Sequence, residues 1–355
     1  MRLLIQWTTI IPTLGWILLF TGLIQDSGIF QIMASVLLIL SVMSAVHHSE
    51  VIAHRVGEPY GTIILAVAIT VIEVSIIISL MILGGDEAVS LARDTVYSAT
   101  MLILNGIVGL CLFIGGLKHH VQTFSKHSVT IALVSLISIL IFTLVFPTFT
   151  NSIKGPYYST PQLVFVSIAC LIIYFSFVFA QTTRYRAYFL SATDDEEEHA
   201  GSISNKVFVT SLLFLVISLG IVVLLAKTLS PKIESIVIGY NLPKRLVGVI
   251  IAAIILLPEG VAAIIAAKKN KLQSSLNLAL GSALASIGLT IPCVAVVCII
   301  NDMKIILGLD IISIILLGLS VFTVMLSLSS GRSNIVYGVV LLVNLMAFIF
   351  LIIFP

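Results

Sequence analysis

Eleven apolar stretches, each about 20 residues long, follow one another along this chain of 355 residues. A helix needs about 20 apolar residues to cross the hydrocarbon core of a bilayer. Helices are favoured there because they satisfy all of their backbone hydrogen bonds internally. The pattern predicts an all-α polytopic membrane protein with 11 transmembrane helices, near residues 7–24, 29–51, 60–84, 93–115, 128–147, 161–181, 206–227, 246–267, 274–300, 304–325 and 335–354.

The composition excludes other classes of protein. Hydrophobic residues make up 59% of the chain and charged residues only 10%, whereas soluble domains carry about 25% charged residues. A soluble enzyme is therefore excluded. The net charge of +2 is too small to indicate a nucleic-acid partner. The four cysteines lie in apolar stretches without disulfide or zinc spacing, so no cofactor is expected.

The distribution of basic residues predicts the orientation in the membrane. Eleven of the 18 Lys and Arg residues lie on the side of the N-terminus, and basic residues favour the cytoplasmic side. We therefore expect an inner-membrane protein with a cytoplasmic N-terminus and an external C-terminus. The same topology places in the cytoplasm an acidic run formed by Asp194, Asp195, Glu196, Glu197 and Glu198.

The helices divide into two sets of five around this acidic loop. An odd number of helices per set makes the second set enter the membrane with opposite polarity, so a duplication must be inverted. Glu73 and Glu259 each lie in the second helix of their set. We predict a leading helix in 1–28, a first repeat in 29–181, the acidic loop in 182–205 and a second repeat in 206–355.

The two mid-helix glutamates are the candidate functional residues. An ionised carboxylate at the bilayer centre costs about 2.5–3.5 kcal/mol on insertion scales, and such residues commonly mark ion pathways. The structural alternative is a protonated carboxyl that joins helices by a hydrogen bond. Pro258 precedes Glu259 and removes a donor to the carbonyl of Ile254, so the helix is expected to kink or open there.

Carboxylate and carbonyl oxygens suit hard cations such as calcium, sodium or magnesium. Two carboxyls that face one cavity lose and gain protons as a coupled pair. Cations and protons would then displace one another. This competition, together with alternating access between inverted halves, is a minimal mechanism for cation/proton antiport.

Longer motifs resemble the calcium/proton exchangers. PEGVAAIIAAKKNKLQSSLNLALGSALASIGLTIP begins one residue before Glu259, and Gly281 and Ser282 follow that glutamate at the family's spacing. The first half contains AHRVGEPYG and RDTVYSATMLILNG, and SSGRSNIVYG precedes the last helix. The chain is most similar in these motifs to the bacterial ChaA-type sodium, potassium or calcium/proton antiporters.

The resemblance implies a cavity lined by helices three, four, eight and nine. It implies that Glu73 and Glu259 exchange the ions and that Asn105, Ser282 and Ser286 supply further oxygen ligands. The transported ions would be Ca2+, Na+, K+ and H+.

One departure from the family pattern bears on the choice of ion. Typical calcium exchangers have an asparagine three residues before each glutamate, and here Thr70 and Leu256 occupy those positions. Thr70 keeps a hydroxyl as a candidate metal ligand, but both amide oxygens are absent. Monovalent cations therefore remain an alternative to calcium.

The cytoplasmic end of the second helix is rich in titratable residues. His47, His48, Glu50 and His54 lie there, and Glu58 follows in the next turn. An ordinary polar helix end is one interpretation. The other is a proton gate or access route at Glu50, His54 and Glu58, because histidine titrates near neutral pH.

Three functional classes remain open at this point. An antiporter fits the paired acids best. An intramembrane enzyme lacks support because the chain has no HExxH or GxSxG motif. A channel would need a filter repeated around an axis. The expected partners are cations, protons and the lipid bilayer, and a homo-oligomer is compatible with the sequence.

The acidic loop leads to a first prediction. Changing residues 194–198 to Asn and Gln should weaken the apparent affinity for cations without stopping transport, because clustered carboxylates raise the local cation concentration. Rates measured against cation concentration in sealed proteoliposomes would test this. Complete loss of transport would instead place the loop on the transport path.

Overall fold

The computed structural model describes residues 6–25, 28–56, 60–84, 89–189, 204–240, 242–243 and 245–354. These residues are mainly helical and contain no β-strand. The main helices are α1 (Trp7–Thr21), α2 (Gly28–Val56), α3 (Tyr60–Gly84), α4 (Leu91–His119), α5 (Lys126–Phe149), α6 (Thr160–Arg184), α7 (Asn205–Gly239), α8 (Arg245–Lys268), α9 (Leu272–Ile300), α10 (Ile311–Leu328) and α11 (Ile335–Ile353).

Within the described residues, nine helices are long and apolar enough to cross a membrane, namely α2 and α4 to α11. The other two coincide with the predicted first and third helices. In α3 the apolar helical stretch among described residues is Thr70–Ile82. In α1 the helix has 15 residues and ends where Gly22 adopts a left-handed conformation, with φ of 73°. Glycine tolerates this conformation without a steric penalty.

The chain forms two compact units. The first comprises Met1–Gly84 and Ala200–Val247, and the second comprises Gly85–His199 and Gly248–Pro355. In the first unit, α2 packs against α1, α3 and α7. In the second unit, α9 packs against α4, α5 and α6, and α11 packs along α4. Each unit therefore contains chain from both sides of the acidic loop.

The predicted start of the tenth helix is wrong by seven residues. We expected a helix from residue 304, but α10 begins at Ile311. Asp310 caps it by accepting a hydrogen bond from the backbone N–H of Ser313 at 2.8 Å, and aspartate is a preferred N-cap residue. The preceding residues are buried but not helical, and the N–H of Leu309 donates to the carbonyl of Leu144 at 2.9 Å. Because these residues are buried, their sequence is as apolar as that of a membrane helix, although they do not form one.

Helices α4 and α11 approach closely at glycines. A Cβ atom added at Gly338 would lie 2.5 Å from the backbone nitrogen of Phe113 and 2.8 Å from the carbonyl oxygen of Gly109. Membrane helices use such small residues to bring their backbones together. The absence of a side chain at residue 338 therefore sets the distance between α4 and α11.

We predict that Gly338→Ala destabilises the protein by roughly 1–3 kcal/mol, because the backbone of α4 must move away. The thermal unfolding midpoint in detergent would measure the loss. Gly318→Ala in α10 is the matched control, since a Cβ there meets no described atom within 4 Å and alanine favours the helix. Equal destabilisation by both variants would contradict the close-approach explanation.

Candidate ion-binding site

Glu259 lies on the buried face of α8. This face is formed by residues at helical spacing, and Glu259 itself is 4% exposed. The other residues of this buried face are Ala252, Leu256, Ala263 and Ala267. On the opposite side of the helix, Val261 and Ile265 are 41% and 47% exposed. Because Glu259 lies on the buried face of α8, its carboxyl is directed away from the exposed side of the helix.

Pro258 does not open α8. The chain remains helical from Arg245 to Lys268, so the expected opening is absent. Proline costs the helix one N–H donor, here the donor to the carbonyl of Ile254. The helix therefore continues through Pro258, and the carbonyl of Ile254 loses its usual donor.

Two glycines bring α8 against α4 within the second unit. A Cβ atom at Gly248 would lie 3.1 Å from the backbone carbon of Asp94, and one at Gly260 would lie 3.3 Å from Cδ1 of Ile107. Gly260 directly follows the buried glutamate. The carboxyl of Glu259 is thereby carried by a helix that runs beside α4.

The middle of α4 is a π-helix over Leu102–Ile107. Such segments are rare and occur frequently at functional sites. Asn105 lies in this segment and is fully buried. Its Nδ2 donates to Oγ of Ser320 at 2.8 Å, and Ser320 Oγ donates to the carbonyl of Leu316 at 2.8 Å.

This contact orients the amide of Asn105. Because Nδ2 is bound to Ser320, Oδ1 points away from that hydroxyl, and it has no hydrogen-bond partner among the described residues. A buried carbonyl oxygen without a partner costs about 1–3 kcal/mol. An oxygen kept in this state is a suitable ligand for a hard cation.

The helix α9 contributes hydroxyl groups to the same unit. Ser286 is 5% exposed, and Ser282 lies one turn earlier and is half-buried. There is open space beside Gly281, since a Cβ atom built there would have no described atom within 4 Å. Helix α9 packs against α4. Asn105 on α4, Ser282 and Ser286 on α9, and Glu259 on α8 therefore lie on one helix and two others that contact it.

Glu73 and Thr70 belong to the first unit. They are 2% and 5% exposed and lie three residues apart on α3, so they share one face of that helix. Ile77 and Leu80 continue this buried face towards the C-terminal end of α3. Burial of a second carboxyl at mid-helix agrees with the sequence analysis.

The remaining predicted residues are at the surface or outside the described part. Glu50 is exposed near the end of α2. The side chain of His54, all of Glu58 and the acidic residues 194–198 lie outside the described residues.

Ser320 and a buried ion pair were not predicted from the sequence. Nη2 of Arg93 lies 2.8 Å from Oδ1 of Asp94, and Nη1 donates to the carbonyl of Gly308 at 3.1 Å. Arg93 and Asp94 are adjacent in the sequence and opposite in charge, so this pair could have been predicted. Ser320 gave no local signal, because its partner Asn105 is 215 residues away in sequence.

The chain as a whole is similar to known proteins. Residues 27–183 and 210–354 match the family described as Sodium/calcium exchanger protein. A protein of Sinorhizobium fredii (strain NBRC 101917 / NGR234) named as an ionic transporter, y4hA, is 39% identical over 97% of this chain and 95% of its own length. The sodium-potassium/proton antiporter ChaA of Escherichia coli (strain K12) is 31% identical over 94% of this chain and 92% of its own length.

A solved structure has a similar fold. The crystal structure of the H+/Ca2+ exchanger CAX covers 97% of this chain and 87% of its own, with a TM-score of 0.72 and 13% sequence identity. At this identity the similarity concerns the fold alone.

We predict that Ser320→Ala lowers the free energy of unfolding by roughly 1–3 kcal/mol, because it leaves the amide of Asn105 without its acceptor. Thermal unfolding in detergent would measure the change. Ser138→Ala is the control, since that hydroxyl donates only to Val134 in its own helix and should cost within about 0.5 kcal/mol. A Ser320 variant as stable as the control would contradict the assigned contact.

Proposed function

Because the chain belongs to the sodium/calcium exchanger protein family, we propose that it is a secondary active cation/proton antiporter. Two further observations support the proposal. The resemblance drawn from the sequence motifs is confirmed by the family match, and the matched residues extend along both sides of the acidic loop. The full-length relative from Escherichia coli is named as a sodium-potassium/proton antiporter. Family membership argues against the channel and the intramembrane enzyme.

The observation that carries the proposal is the burial of two carboxyls in apolar helices. Glu73 is 2% exposed and Glu259 is 4% exposed, although placing a charge in the membrane is costly. A carboxyl in such a place is stabilised by a proton or by a cation. Protons and cations therefore compete for the same oxygens, and this competition couples the two fluxes.

We assign the cation ligands from oxygen atoms in buried positions. Glu259, Asn105, Ser282 and Ser286 would contribute from the second unit. Within the first unit, Glu73 and the hydroxyl of Thr70 are the proposed ligands. All of these are oxygen ligands, which is the donor set that Ca2+, Na+ and K+ use.

The choice of ion rests on the residues that precede the two glutamates. Leu256 is buried on the face of α8 that carries Glu259, and its side chain offers no oxygen. Fewer oxygen ligands lower the advantage of a divalent ion. We therefore include Na+ and K+ with Ca2+ as transported cations.

We also propose the predicted topology of 11 spanning helices, with a leading helix and two inverted five-helix repeats. The two ranges matched by the family, 27–183 and 210–354, are of similar length and flank the acidic loop. The excess of basic residues on the N-terminal side supports a cytoplasmic N-terminus. The protein would lie in the cell's inner membrane with its C-terminus outside.

We predict that Glu73→Gln and Glu259→Gln each reduce cation-driven proton flux to background. Glutamine keeps the shape of the side chain but neither releases a proton nor carries charge. The assay uses purified protein in sealed liposomes with a trapped pH dye, to which Ca2+, Na+, K+ or Mg2+ is added outside in turn.

The control for this experiment is Asp302→Asn, an exposed loop residue with φ of 50°, because asparagine tolerates that backbone conformation. It should keep the flux of the unchanged protein. Exchange that persists in either folded glutamate variant would overturn the assignment of that residue. Absence of flux with every cation in the unchanged protein would overturn the antiport proposal.

A further inference from the structure

Pro12 leaves a carbonyl oxygen of α1 without its usual donor. Proline has no backbone N–H, so the carbonyl four residues earlier, that of Thr8, loses its helical hydrogen bond. In a membrane protein such a group needs another partner. Oγ of Ser44 in α2 donates to this oxygen at 2.5 Å, and Nε2 of His48 lies 3.3 Å from it. Both side chains come from the buried face of α2.

This contact fixes the tautomer of His48. A carbonyl oxygen only accepts hydrogen bonds, so Nε2 must carry the hydrogen. In the neutral ring Nδ1 then carries a lone pair. Nδ1 is buried, and no described residue forms a hydrogen bond with it. The ring itself is 4% exposed and stacks on Phe214 of α7 with 5.7 Å between the ring centroids.

Hydroxyl side chains of α1, α2 and α7 are buried in the same unit as this histidine. Oγ of Ser44 lies 3.2 Å from Oγ of Ser218 in α7. The hydroxyl oxygens of Thr8 and Ser41 are also buried without a hydrogen-bond partner among the described residues. We call Thr8, Ser44, His48 and Ser218, which these contacts connect, the histidine cluster. It joins α1, α2 and α7 and contains one group that can change its charge near neutral pH.

Few charged groups face the cluster from the elements around it. Helix α1 has no charged residue, and α3 has only Glu73. On α7 the nearest charged residues in sequence to Phe214 are Lys206 and Lys227, and both are exposed. On α2 itself, Glu50 and Arg55 are exposed, and the ring of His47 lies 5.6 Å from that of His48. Among the described side chains, His47 is therefore a titratable group in contact with His48.

We propose that His48 is a proton-binding residue of the transport cycle, taking up and releasing a proton at Nδ1 inside the histidine cluster. The Nδ1 lone pair accepts the proton to form an imidazolium, and the same proton leaves from Nδ1. The proposal rests on the antiport function proposed above. His48 lies four residues before the end of the apolar segment Gly28–Ile52, on the side predicted to face the cytoplasm.

The hydrogen bond to Thr8 argues for proton transfer and against a conformational switch. A switch needs a contact that exists in only one protonation state. Here Nε2 carries a hydrogen in both states, so the bond to the carbonyl of Thr8 persists and becomes stronger when the ring is charged. Protonation thus changes the charge of His48 while its anchor on α1 is kept.

The tautomer can be tested without transport. In protein labelled with 15N-histidine, the pair of signals lost in His48→Gln belongs to His48. We expect an unprotonated Nδ1 beside a protonated Nε2 at high pH, and protonation of Nδ1 between about pH 5 and 9. An Nδ1–H tautomer, or a ring that does not titrate in this range, would overturn the proposal.

The role in transport is tested with the same variant. Glutamine at residue 48 keeps an N–H donor for the carbonyl of Thr8 but takes up no proton. We expect His48→Gln to lower cation-driven proton flux at least about tenfold and to remove one titration from its pH profile. His120→Asn is the control, because His120 is exposed with φ of 60°, and it should match the unchanged protein.

The outcomes separate this proposal from the antiport function. If the unchanged protein exchanges cations for protons and His48→Gln has the same rate and pH profile, the role of His48 is overturned. If the unchanged protein shows no exchange, the antiport function fails, and with it the transport role. The 15N spectrum still decides whether His48 binds a proton at Nδ1.

Discussion

Hydrocarbon provides no hydrogen-bond partner for a peptide group, and the architecture of this chain follows from that constraint. Long helices satisfy their own backbone, and many hydroxyl side chains do the same by donating to carbonyls of their own helix, as Thr130 and Ser138 do. The non-helical residues before α10 obey the rule in another way. Their N–H groups donate to the carbonyls of Val89, Pro156 and Leu144 in neighbouring segments.

Three positions where a helix lacks its regular hydrogen bonds lie beside buried polar side chains. Pro12 frees the carbonyl that Ser44 and His48 contact, and the π-helix of α4 contains Asn105. Pro258 adjoins Glu259 in α8. A regular helix in lipid hides its backbone from ligands, so a site built on helices needs such local irregularities together with polar side chains.

Charge in an apolar environment explains how the proposed exchange is coupled. A buried carboxylate is unfavourable by itself, and a proton or a cation relieves this cost. Glu73 and Glu259 belong to different compact units, and each unit also contains another buried polar group. The first unit holds the titratable ring of His48, and the second holds the amide oxygen of Asn105. In this proposal, proton chemistry and cation coordination are distributed over both units.

Local patterns in the sequence were enough to predict an all-helical protein, the nine membrane-length helices among the described residues and the burial of the two glutamates. Hydrophobic runs of about 20 residues and a mid-run acid are readable from neighbours in the chain, because the membrane imposes the same length and polarity rule on every helix. The start of α10 was missed, since a buried extended segment is as apolar as a helix. Contacts between distant residues came only from the fold. Ser320 orients Asn105 across 215 residues, and His48 reaches Thr8 across 40, because packing of separate helices selects which side chains meet.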